Sequence, residues 1–151
     1  MEKHDMSKRA GDDQTIDLRS IRVLIIDDEP MVVKLLSRQL CAAGCRIWGA
    51  GSAEEGIALA RCEDLDVIML DLCLPGVSGY GAIDSLKHVS NAAILMMTGY
   101  ADEEIKKDAM MLGADGLIGK PYELQQLVSM LRDLTSRRKE VDPVREVAAI
   151  I

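Results

Sequence analysis

Four apolar runs in this sequence stop on polar residues that could do chemistry. Residues 21–26 run into Asp27-Asp28, 65–70 into Asp71, 92–97 into Thr98, and 115–119 into Lys120. If these runs are parallel strands, their ends share one edge of a sheet. In doubly wound sheets ligands bind outside the carboxyl ends of the strands, where the strand order reverses. With strand order 2-1-3-4-5 the first and third strands are neighbours there, so Asp27, Asp28 and Asp71 would cluster. Two carboxylates about 4 Å apart repel by roughly 4 kcal/mol at an effective dielectric of 20. A hard divalent cation relieves that repulsion, and Mg²⁺ prefers a few carboxylate oxygens plus water. Lys120 adds a further positive charge. A plain Asp71–Lys120 ion pair with unrelated capping aspartates explains any one of these residues, but not five polar groups at four strand ends.

The elements that must position these groups alternate regularly. After the first run, Pro30 sits where proline suits the first turn of a helix. Met31, Leu35, Leu36 and Leu40 recur at helical spacing, and Gly44 is the stop. A shorter strand covers 46–50. Ser52-Ala53-Glu54-Glu55 forms a capping box that opens a helix to about Cys62. The stretch 74–79 leads into a short helix ending near His88. A helix over 102–112 is capped by Gly113, and Leu124, Leu127, Val128, Leu131 and Leu134 form the inner stripe of a last helix. Strands that are apolar throughout are buried on both faces, so the sheet is parallel with helices on both sides. The fold class is therefore α/β: a doubly wound, five-stranded parallel sheet, for which the order 2-1-3-4-5 of a flavodoxin-like (βα)5 arrangement is expected because it would cluster the acids. Residues 1–20 are polar, without periodicity, and are expected to be a flexible N-terminal extension. Residues 21–138 form the domain, and 139–151 a C-terminal tail.

With 151 residues the chain holds one domain with a proper core. Apolar residues make up 48% and charged residues 28%, with no Phe and one Trp, so the core is aliphatic. A net charge of -7 repels phosphates and disfavours direct nucleic-acid binding. No apolar stretch is long enough to span a bilayer, and residues 1–11 lack the apolar segment of a signal peptide, so a cytoplasmic location and no membrane partner are expected. Cys41, Cys45, Cys62 and Cys73 lie in apolar or helical surroundings and are expected to be small buried hydrophobes. No second Cys or His pair completes a metal site with Cys41 and Cys45. His4 and His88 are isolated and expected to face solvent.

Taken together, Val23-Leu24-Ile25-Ile26-Asp27-Asp28-Glu29-Pro30, Ile68-Met69-Leu70-Asp71-Leu72-Cys73-Leu74-Pro75-Gly76, Thr98-Gly99 and Gly113-Ala114-Asp115-Gly116 followed by Lys120-Pro121 resemble the signatures of response-regulator receiver domains of the chemotaxis-regulator kind. The likeness covers about 21–138. It implies that Asp71 is the phosphoryl acceptor in two-component signalling. Asp28 would bind Mg²⁺ directly, Asp27 through water, and Asp71 and the backbone carbonyl of Cys73 would complete the protein ligands. Thr98 would donate its hydroxyl to a phosphoryl oxygen, and Lys120 would pair with Asp71 or the phosphoryl group. The Lys120–Pro121 bond would be cis. The implied donor is a phosphohistidine on a sensor histidine kinase or phosphotransfer protein, and the product an aspartyl phosphate that water later hydrolyses. Output would pass through protein contact with a downstream partner.

The sequence also departs from that pattern. Many receivers carry an aromatic residue three positions before the lysine; here it is Leu117, which cannot swing a polar tip between buried and exposed positions. Tyr100 either takes part of that role or covers the rim of the site. Met110 and Met111 are adjacent on the fourth helix and cannot both face the core. That helix, the fifth strand and the fifth helix form the implied output surface, and a homodimer would use either this face or the C-terminal tail. No room for an effector domain is expected after Leu134, which suggests a stand-alone receiver. Ser136-Arg137-Arg138-Lys139 suits the negative end of a helix dipole. Pro143 interrupts, and the apolar 144–151 would pack on the domain, self-associate or fray.

Two other readings compete. A pseudo-receiver would keep the fold as a binding module without phosphotransfer; Leu117 favours it, and the complete set of polar residues opposes it. A Mg²⁺-dependent phosphatase forming an aspartyl phosphate would need a second Asp two residues after the nucleophile for proton transfer. Here that position is Cys73.

Overall fold

The computed structural model describes residues 18–76, 79–100 and 102–141. Five strands, β1 (Arg22–Ile26), β2 (Arg46–Ala50), β3 (Val67–Asp71), β4 (Ala93–Thr98) and β5 (Gly116–Gly119), alternate with five helices. These are α1 (Pro30–Ala42), α2 (Ala53–Cys62), α3 (Gly79–Val89), α4 (Glu103–Met111) and α5 (Leu124–Val141). The sheet order is β2-β1-β3-β4-β5 and every pairing is parallel. This is the expected architecture. The reversal of strand order falls between β1 and β3.

Side chains on a strand alternate faces, and the core divides accordingly. Leu24, Ile26, Ile68, Leu70, Ile94 and Met96 pack against α2, α3 and α4. Val23, Ile25, Val67, Met69, Leu95 and Met97 pack against α1 and α5. The central strands β3 and β4 are buried throughout, whereas the edge strands β2 and β5 are only partly covered.

The helix ends follow local chemistry. Pro30 opens α1 with no side-chain cap. Ser52 caps α2 by accepting the Glu55 N–H at 3.2 Å, and Glu55 reaches back to the Gly51 N–H rather than to that of Ser52. Asp102 is the cap of α4, accepting the Ile105 N–H at 2.8 Å. Gly44 and Gly113 follow α1 and α4 with φ of 103° and 112°, a region glycine enters without a Cβ penalty.

Several side chains lie elsewhere than their spacing suggests. Met31 and Leu35 of α1 are 73% and 57% exposed. The buried line of that helix is Leu36 and Leu40, supported by Val32 and Val33, so residues one step of about 100° away turn to solvent. In α5 the buried stripe is Leu127, Leu131 and Leu134, and Leu124 is exposed in the first turn. Leu18, within the expected lead-in, is buried. The turn closed by the Ile21 N–H on the Leu18 carbonyl, with the Ser20 N–H on Gly44, returns it to the α1/α5 side of the core. Met110 and Met111 are both exposed. Three cysteines expected to be buried, Cys41, Cys62 and Cys73, are exposed, because each sits at or just beyond the end of an element; only Cys45 is buried. Burial pushes the Cys45 thiol up to about 11. His88 faces solvent as expected, its Nδ1 2.9 Å from the Asp84 carbonyl oxygen. His4 and residues 144–151 lie outside the described residues.

Candidate functional site

The C-terminal edge of the sheet gathers the polar residues. Asp27 and Asp28 follow β1, Asp71 closes β3, Thr98 closes β4 and Lys120 follows β5. Register sets their relative heights: Ile26 pairs with Leu70 and Asp71 with Met97, so the acids of adjacent strands lie level. One carboxylate oxygen from each of Asp27, Asp28 and Asp71 lies within 4.8 Å of the others.

Asp27 is fully buried, with both oxygens engaged. Oδ1 accepts the Glu29 N–H at 2.9 Å, and Oδ2 accepts from Lys120 Nζ at 3.1 Å. Lys120 Nζ lies 3.8 Å from Asp71 Oδ1. The lysine thus sits between the two acids, hydrogen-bonded to Asp27 and ion-paired with Asp71. Burial works against its charge, but the hydrogen bond to Asp27 and the charges of Asp27, Asp71 and Glu29 outweigh this and raise its pKa.

Asp71 is 5% exposed, and its Oδ1 accepts the Cys73 N–H at 3.1 Å. Burial raises its pKa most. The Cys73 N–H and the Lys120 charge pull it down, Asp27 and Asp28 push it up, and the net direction is upward. The Cys73 backbone therefore folds over the Asp71 carboxylate while the residue itself is exposed.

Thr98 is buried, and its Oγ1 accepts the Tyr100 N–H at 3.0 Å. That bond leaves the hydroxyl proton available for another acceptor. The Lys120 N–H donates to the Thr98 carbonyl at 2.7 Å, which ties the lysine's backbone to the end of β4, and the Lys120–Pro121 bond is cis. The Tyr100 ring is 77% exposed, at the rim, and Leu117 is half-buried against the core beneath α2, α3 and α4.

Two residues of the site carried no signal in the sequence. Glu29 uses its backbone N–H on Asp27, which any non-proline residue could do. Tyr122 is half-buried, and burial first, then the Asp27 charge, pushes its hydroxyl up to about 12. The donor set suits a hard cation: three carboxylates and no sulfur or imidazole among the clustered atoms, with Asp28 exposed on the solvent side.

Residues 23–132 match the response regulator receiver domain family. The chain belongs to that family. Over 116 residues this receiver is 33% identical to the transcriptional regulatory protein YvrH of Bacillus subtilis, covering 76% of this chain and 49% of that protein. The chain spans about half the length of the curated relatives it matches. A receiver domain protein of Methanospirillum hungatei superposes with a TM-score of 0.74 at 27% identity, covering 80% of this chain and 98% of that one. A response regulator of Burkholderia pseudomallei, solved with a phosphorylated aspartic acid, a calcium ion and citrate, gives 0.71 at 28% identity over 83% of this chain and 75% of that one. The receiver is thus a module of phosphorylation-based two-component signalling. Among its described residues no helix is long and apolar enough to cross a membrane.

Proposed function

We propose that Asp71 accepts a phosphoryl group, with Mg²⁺ present, from a phosphohistidine on a sensor histidine kinase or phosphotransfer protein, and that the aspartyl phosphate signals through contact with a protein partner. The observation that carries this reading is the position of the Asp71 carboxylate, level with two further acids and 3.8 Å from a lysine amine.

In this reading an Asp71 oxygen attacks phosphorus in line, the new O–P bond forms as the N–P bond breaks, and the imidazole leaves. The protein's part is positioning and charge stabilisation. Lys120, shared between Asp27 and Asp71 before transfer, places its ammonium on the equatorial oxygens. Thr98 keeps its bond from the Tyr100 N–H and donates its free proton to a phosphoryl oxygen. The Gly99 N–H is a further donor. Asp28, Asp71 and the Cys73 carbonyl, with Asp27 through water, would hold Mg²⁺, which would supply positive charge opposite the acids and the incoming phosphoryl group. Asp27 meanwhile holds the lysine in place. Water later attacks the acyl phosphate. With Cys73 two residues after the acceptor, no second acid is set there for turnover of phosphate esters, so the chain acts as a signalling module and not as a phosphatase.

The phosphorylated aspartic acid in the Burkholderia relative supports this reading. The exposed Met110, Met111 and Leu112 beside β5 support an output contact on the face of α4, β5 and α5, formed with a downstream protein or a second copy. A cytoplasmic location and no direct contact with nucleic acid or membrane complete it. Incubating the protein with acetyl phosphate and Mg²⁺ should add one phosphoryl group to its intact mass, and Asp71→Asn should gain none. A wild-type mass that stays unchanged would overturn the proposal.

A further inference from the structure

α1 and α5 share one side of the sheet but do not close on each other along their whole length. An open, mainly apolar groove of about 500 Å³ runs there, lined by Leu18, Ala42, Ala43, Leu124, Val128 and Arg132 among others. The α5 residues recur every four positions, so the groove follows one face of that helix for roughly 12 Å. Its α1 wall ends in two alanines, whose side chains are too short to fill the space.

The sequence beyond α5 supplies an occupant. Pro143 cannot continue a helix and biases Asp142 toward an extended backbone. Val144, Val147, Ala148, Ala149, Ile150 and Ile151 then give an apolar stretch that the phosphotransfer site does not use. Reach is sufficient. Val141 lies roughly 14 Å along the helix axis from Arg132 and roughly 20 Å from Val128. The stretch 142–151 spans roughly 33 Å when extended. A chain that reverses at Pro143 and runs back along α5 therefore brings 147–151 level with the groove. The stretch ahead of Leu18 fits less well: 7–17 offers Ala10 and Ile16 among charged and polar residues.

We propose that residues 144–151 fold back antiparallel to α5 and seat Val147, Ile150 and Ile151 in the groove between α1 and α5. Covering that surface would remove apolar area from water, which favours the seated form.

Arg145 provides a trypsin site inside the segment, and cleavage of a reversibly docked segment tracks the population of its open form. The test follows release of the 146–151 peptide from the full chain by mass spectrometry. Ala43→Arg fills the groove from its α1 wall, and the double variant Ile150→Asp with Ile151→Asp removes the apolar anchors. Both should release the peptide about tenfold faster than wild type. The double variant leaves every described residue unchanged, so it decides the matter even if Ala43→Arg fails to fold. Equal release from wild type and the double variant would overturn the proposal. Protection lost in Ala43→Arg but kept in the double variant would show that Ile150 and Ile151 do not anchor the segment, and would overturn the proposal. Protection that grows with protein concentration, together with a doubled mass in solution, would assign it to a second copy and overturn the intramolecular seat.

Discussion

Asp71 and Asp27 are both buried acids, yet they carry their charges differently. Asp27 has a hydrogen-bond donor on each oxygen, whereas Asp71 has one backbone donor and a lysine amine 3.8 Å away. Lys120→Gln should cost roughly 2 kcal/mol in chemical denaturation, because Asp27 then keeps a fully buried charge without its countercharge. Asp71 is a separate case. A carboxyl whose pKa is raised by folding binds its proton more tightly in the folded state than in the unfolded chain. Its contribution to stability is complete below the ordinary aspartate range and is lost as pH rises through the raised value. Asp71→Asn should therefore melt above wild type at pH 7 without metal, and the gap should close at about pH 4 and below. Melting curves across that range check the direction. The residue proposed to take a phosphoryl group is thus expected to lower the stability of the metal-free fold.

The elements hold this arrangement through a few close approaches. A Cβ on Gly79, the first residue of α3, would lie 2.7 to 2.9 Å from Leu72 Cα and from the Asp71 and Leu72 carbonyl oxygens. All three are backbone atoms and cannot swing aside. The Gly79 N–H also donates to the Leu72 carbonyl at 3.1 Å. Gly79→Ala should thus push α3 away from the end of β3, cost roughly 2 kcal/mol in a denaturant titration, and slow phosphorylation of Asp71 by acetyl phosphate. Gly56→Ala on α2 meets a side chain instead of backbone: its new Cβ would crowd the outer atoms of Ile26, the residue just before Asp27, and these can shift, so it should cost less stability than Gly79→Ala in the same titration.

At the scale of the whole molecule, five parallel strands direct their ends to one edge, and the fold concentrates negative charge there in a protein already at -7. A cation that binds the folded state alone stabilises it by mass action, by about 2.7 kcal/mol at a hundredfold excess over its Kd. Mg²⁺ should accordingly raise the Tm of wild type, excess chelator should return it, and Asp28→Asn should blunt the response. A Tm indifferent to Mg²⁺ would remove the metal from the proposed function while leaving the fold intact. The two faces of the sheet differ as well: the pocket between the ends of α2 and α3 is mainly polar, while the groove that α1 and α5 leave on the other face is mainly apolar.

Much of this was legible in the residue order. Apolar runs ending in acids, a hydroxyl and an amine implied parallel strands and the shared edge, because burial on both faces demands aliphatic runs and a polar residue marks where the strand leaves the core. The cap at Ser52 and the turns at Gly44 and Gly113 were local signals, written in neighbouring residues. Decisions that depend on distant neighbours were not legible. Spacing alone groups Met31 with Leu36, but the rotation of α1 about its axis is set by the sheet beneath it. Leu18 is drawn into the core by a turn against Gly44, and the ends of elements expose three cysteines that composition would bury. Lys120 pairs with Asp27 as well as with Asp71 because β1 and β3 bring two acids within its reach, and only the packed backbone determines which oxygen lies nearer.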